Sequence, residues 1–140
     1  MIMTFGEKVR LARLAAKYSQ KELAMLTGIA QRTIQNYENG ERMPKQRATY
    51  TQLAGALHIE ESVLLDENAE FVLKASEEYG SRASRQAEKL IDEVRGLYSG
   101  GELADEDMDA MMKAIQDAYW IAKQKNRKYV PMKYRKDEAE

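Results

Sequence analysis

The chain has 140 residues, enough for one domain or one small domain with an extension, and 44% apolar content can build a core. It has no cysteine, which excludes a disulfide scaffold, a thiolate metal site and a cysteine nucleophile, and its one histidine, His58, argues against a multi-histidine metal site or a Ser-His-Asp triad. The net charge of −1 argues, as an average, against a uniformly basic nucleic-acid binder.

Two prolines and eight glycines leave few breaks, so the expected fold is all-α. Phe5, Val9 and Ala12 share one face of a first helix that should run to about Lys17. Ser19-Gln20-Lys21-Glu22 is a capping box, so a second helix starts there with Leu23 and Ala24 inward. Gly28 suits a positive φ and should end it. A third helix spans about 30–38, closed by Asn39-Gly40, with Pro44 preventing early continuation. Leu53, Ala54, Leu57 and Ile59 mark a fourth helix, and Val63, Leu64 and Leu65 a short fifth. No segment alternates long enough to suggest a strand.

Longer helices are expected beyond residue 66. Phe71, Val72, Ala75 and Tyr79 form one stripe, interrupted at Gly80-Ser81. Ala83, Ala87, Leu90, Ile91, Val94, Leu97 and Tyr98 form a second, and Met108, Met111, Met112, Ile115, Tyr119 and Ala122 a third. Ser99-Gly100-Gly101 should turn the last two into an antiparallel hairpin. The reading divides the chain into 1–66, a helical extension 67–122 and a basic tail with an acidic end, 123–140.

Charge is distributed by zone. Residues 1–66 carry net +2, residues 67–122 carry −7, residues 123–136 carry +7 and residues 137–140 carry −3. The average therefore conceals regions of opposite charge, and its argument against DNA fails.

Ser19 to Gly40 reads SQKELAMLTGIAQRTIQNYENG. This stretch resembles the helix-turn-helix of the XRE family, which includes the phage repressors and Cro proteins. The likeness extends from about Phe5 to Leu65 and includes Ser19-Gln20, Leu23-Ala24, Gly28, Ile34, Glu38-Asn39-Gly40 and the Leu53–Ile59 pattern. It implies a five-helix, lambda-repressor-like DNA-binding domain whose third helix enters the major groove.

The residues of that helix support such a role. At about 100° per residue, Gln31, Gln35, Arg32 and Asn36 fall on one side and Ile34 and Tyr37 on the other. Glutamine and asparagine can pair with adenine edges and arginine with guanine, so these four are the candidate base readers. The resemblance further implies phosphate contacts from Gln20, Thr33, Asn39, Arg42 and Lys45, and a structural ion pair between Arg13 and Glu38. The chain departs from the family pattern at three places. Lys17 and His58 stand where glycine is common, and Ala30 where Ser or Thr would cap the recognition helix.

Asp105-Glu106-Asp107-Met108-Asp109 is not a calcium loop, because Ala110 and Gln116 occupy the places that require Gly and Glu. The acids suit a helix N-terminus instead. The segment Lys123 to Lys136 has three readings: a DNA-backbone arm, a strap over the acidic zone, or a disordered tail.

The expected function is a sequence-specific DNA-binding transcriptional regulator, a repressor, acting as a homodimer held by 67–122 on a pseudo-palindromic operator of double-stranded DNA. The alternative is an antitoxin-like module that binds a protein partner and its own operator. No nucleophile–base pair, metal set or phosphate loop is present, so neither an enzyme nor a cofactor is expected. No run approaches the ~20 apolar residues of a membrane span. Residues 1–6 lack the features of a signal peptide, so a cytoplasmic protein is expected.

Overall fold

The computed structural model of the chain describes residues 3–101 and 103–129, with side chains described as far as 126. All of its regular structure is helical: α1 (Phe5–Ala15), α2 (Gln20–Thr27), α3 (Gln31–Glu38), α4 (Arg47–Leu57), α5 (Glu61–Leu64), α6 (Glu67–Tyr79), α7 (Ser81–Ser99) and α8 (Asp105–Tyr129).

Helix starts follow local chemistry. Thr4 accepts from the Glu7 amide to open α1, and Asp66 accepts from the Ala69 amide to open α6. Both bonds of the capping box at Ser19 and Glu22 form at the start of α2. Helix ends follow backbone sterics. Gly28 closes α2 at φ 76° and Gly40 follows α3 at φ 79°. α1 and α4 achieve the same turn without glycine: Lys17 sits at φ 62° and His58 at φ 58°. The left-handed turn is thus retained where glycine is replaced, at a cost of roughly 1–2 kcal/mol per residue. The α1 helix accordingly stops at Ala15, short of the expected Lys17.

One core joins α1 to α6. Phe5 packs into it edge-on to Tyr37 at 5.5 Å and to Tyr50 at 5.4 Å between ring centroids. Val9, Leu23, Ile34, Leu53, Leu57 and Leu64 fill it, and Ala69 and Leu73 of α6 belong to it as well. Each fully buried aliphatic side chain of this size contributes about 1.5–3 kcal/mol. Lys8 on α1 reinforces the junction by donating to the Asp66 carboxylate at 2.9 Å and to the Val63 carbonyl at 3.0 Å.

The chain forms two compact units, 1–91 and 92–140. The first therefore extends past the expected boundary at residue 66. The physical reason is the face of α6, where Ala69, Phe71, Val72, Leu73 and Ala75 are all buried. Ala83, Ala87 and Ile91 on α7 are buried too. In the second unit the last part of α7 contributes Val94, and α8 contributes Met108 and Met112. Asp105, Glu106 and Asp107 occupy the first turn of α8. The helix continues to Tyr129, beyond the stripe that ends at Ala122. Residues 130–136 of the basic segment, and the acidic end after it, lie outside the described residues.

Candidate nucleic-acid interface

The third helix is short and strongly two-sided. Ile34 is fully buried and Tyr37 nearly so, which docks one face against α1 and α2. Gln31, Arg32 and Gln35 are exposed on the other, with Thr33 and Asn36 half-buried at its margins. Ala30 supplies no side-chain bond to the helix start. The N-terminal amides of α3 therefore point outward without a cap.

The placement of α3 depends on close contact with α1. A Cβ on Gly6 would strike the carbonyl oxygens of Tyr37 and Glu38, so only glycine permits this approach. An ion pair fixes the same junction. Arg13 Nε donates to Glu38 Oε2 at 2.8 Å and Nη2 donates to Oε1 at 3.0 Å. Arg13 Nη1 also donates to the Tyr18 carbonyl at 2.8 Å, holding the α1–α2 turn. The Glu38 side chain is 3% exposed, so removing its partner would leave a buried, uncompensated charge. The hydrogen bonds from Arg13 to Glu38 raise the guanidinium pKa above its ordinary value.

Gln20 completes that network. Its Nε2 donates to Glu38 Oε1 at 3.2 Å, which leaves a second amide hydrogen for another acceptor. The backbone amides of Gln20 and Lys21 lie in the first turn of α2, where no intrahelical acceptor exists. The α2–α3 turn is pinned by Thr27, whose hydroxyl donates to the Leu23 carbonyl at 2.8 Å and accepts from the Ile29 amide at 3.2 Å.

Residues 39–46 follow α3 without helical structure of their own. Asn39 and Arg42 are exposed and Lys45 is half-buried. Burial pushes the Tyr37 phenol up, and the nearby Arg42 cation opposes that shift, which places Arg42 close to the end of α3. The loop is tied by the extension at its middle and just past its far end. Glu88 Oε1 on α7 accepts from the Met43 amide at 3.1 Å, and Arg47 donates to Glu70 at 2.7 Å and to Glu77 at 3.1 Å on α6.

Sequence reasoning missed Gly6, Thr27, Arg47 and Glu88. A glycine inside a helical pattern was the available signal for Gly6, because such a glycine needs a packing reason. Thr27 precedes the turn glycine and could have been read as a hydroxyl anchor. Glu88 lies far along the chain from Met43, and no local pattern marks it. His58 is exposed, with its Nε2 3.5 Å from the Tyr18 hydroxyl. Among the described residues no cluster of His, Asp or Glu is arranged to hold a metal ion, and no helix is long and apolar enough to cross a membrane.

Residues 9–62 match the family model described as Helix-turn-helix, and this part of the chain is a helix-turn-helix domain of the XRE type, the domain of DNA-binding regulators. The chain is also similar to the "Immunity repressor protein" of Bacillus phage phi105. The two are 27% identical over 146 aligned positions, which span 99% of this chain and 100% of the relative. No solved structure is significantly similar to it.

Proposed function

We propose that this chain is a sequence-specific transcriptional repressor that reads operator DNA with α3 in the major groove. The observation that carries the proposal is the two-sided α3 within a helix-turn-helix domain. Its apolar side is spent on docking, and its polar side presents Gln31, Arg32 and Gln35 to solvent. Those three and Asn36 read base edges. Gln20 holds a phosphate with its second amide hydrogen and the first-turn amides of α2. Thr33, Asn39, Arg42 and Lys45 add backbone contacts that set register. The full-length likeness to a phage immunity repressor supports repression as the sign of regulation.

The working form is a homodimer assembled through residues 92–122. Leu97, Met111 and Ile121 are exposed there, which favours a contact with a second copy. A two-fold dimer reads a pseudo-palindrome with half-sites about 10–10.5 base pairs apart, or a multiple of that spacing. No observation favours the antitoxin reading.

Selection of bound duplexes from a random pool, followed by footprinting, tests the proposal. It should yield a pseudo-palindromic site protected in two successive major grooves. Arg32→Ala should weaken that site by about 1–3 kcal/mol and relax specificity at one position. A pool that shows no enrichment would overturn the function. Equal loss on selected and random DNA would move Arg32 to the phosphate contacts.

A further inference from the structure

We infer that Glu88 of α7 is a positioning residue for DNA binding, holding the loop after the recognition helix through the Met43 amide. The inference rests on the proposed DNA-binding function and adds to it a residue outside the matched domain 9–62.

The loop 39–46 needs external support. Its first residues are held locally, by the Gly40 amide on the Tyr37 carbonyl and the Glu41 amide on the Asn36 carbonyl. Its far end is held by the Thr49 amide on the Gln46 carbonyl and by Arg47, which grips Glu70 and Glu77. Between these ends lies Met43, whose amide donates to Glu88 Oε1 at 3.1 Å. Met43 is flanked by the segment that carries Arg42 and Lys45, the two cations assigned to phosphates. Pro44, next to it, is fully buried. A side-chain hydrogen bond to the middle of an irregular loop restricts the backbone that aims both cations.

Preordering is what makes such a bond useful. A loop that is free in solution must lose conformational entropy when it meets the duplex, and that loss subtracts from affinity. A loop already fixed by α6 and α7 has lost it during folding. Glu88 would then act on DNA affinity without touching DNA. Phosphate contacts carry no sequence information, so the effect should be equal on every sequence. The bond needs an acceptor, and a net negative charge on that acceptor is not required.

The test uses the full chain with a selected operator and a random duplex of equal length. Glu88→Ala should weaken both by the same factor, about 3- to 10-fold. Glu88→Gln keeps an acceptor oxygen and should stay within about twofold of the unaltered chain. Hydrogen exchange at the Met43 amide should accelerate in Glu88→Ala and stay slow in Glu88→Gln. Glu88→Leu keeps a carbon stem without an acceptor and must follow Glu88→Ala, which guards against an alanine variant that fails to fold. Tighter or unchanged binding by the alanine and leucine variants would overturn the inference, because the carboxylate would then repel phosphates or do nothing. Equal loss in the glutamine variant would overturn it as well. If the unaltered chain binds neither duplex, the proposed function fails, and that outcome is separate from failure of the Glu88 role.

Discussion

Of the helices outside the matched domain, α6 and α8 differ in what they do with their apolar residues. The α6 helix has 13 residues and buries Ala69, Phe71, Val72, Leu73 and Ala75. The α8 helix has 25 residues, yet its buried side chains among those described are Met108 and Met112, and it exposes Met111 and Ile121. Both follow the domain in sequence, but α6 has become part of the core around Phe5 while α8 keeps apolar surface in water. The difference teaches that "extension" is a label from sequence matching and not a physical category. A segment belongs to a folding unit when its apolar face closes that unit's core.

The contrast can be tested by the stability of the first unit, measured by urea unfolding followed with circular dichroism. The largest loss is expected from Arg13→Ala, about 3–5 kcal/mol, since the buried Glu38 carboxylate would lose its guanidinium. Leu73→Ala should cost about 2–5 kcal/mol, because the side chain is fully buried. A cost below about 1 kcal/mol would mean that α6 merely rests on the domain.

A gain is expected from His58→Gly. The left-handed φ of 58° strains histidine and suits glycine, so stability should rise by about 0.5–1 kcal/mol after glycine's greater unfolded-state entropy is subtracted. A loss would show that the Tyr18 contact matters more than the strain.

Smaller still is the Arg47 clamp. The hydrogen bond from Arg47 holds the Glu70 carboxyl below its usual pKa. A group with a depressed folded-state pKa stabilises the fold above its unfolded value of about 4.3, and that contribution is lost as pH falls through the folded value. The pair is partly exposed, so its worth is at most about 1 kcal/mol. In Arg47→Ala the acid arm of the stability–pH curve should flatten by that amount, and identical curves would dismiss the clamp.

The smallest effect on this scale belongs to α8. The double change Met111→Glu and Ile121→Glu should leave the first unit within about 0.5 kcal/mol. It should instead convert a sedimenting dimer to monomer. An unaltered chain that sediments as a monomer at tens of micromolar would remove the dimer proposal.

Much of the fold was legible because local rules act on neighbours. The Ser19-Glu22 capping box, Gly28, and the Ile34 and Tyr37 face could each be read within a few residues, and the structure shows α2, its turn and the docked side of α3 there. The Gly80-Ser81 break fell between α6 and α7. The extent of the first unit was less legible, since whether Leu73 faces the domain or a second helix depends on partners distant in the chain. The site was legible in part for the same reason. The exposed face of α3 follows from periodicity, whereas the Gln20 bond to Glu38 and the Glu88 bond to Met43 require the tertiary fold.

The Gly6 crossing has a consequence for how this chain can change. The α3 helix is seated by Gly6 against its last carbonyls, by Ile34 and Tyr37 in the core, and by Glu38 on Arg13. None of these anchors lies on the side that carries Gln31, Arg32 and Gln35. Substitutions among those three exposed positions should therefore cost little stability, within about 0.5 kcal/mol each. A lineage built on this scaffold could diversify its operator preference, and an engineer could retarget it, while the seat of the helix stays fixed.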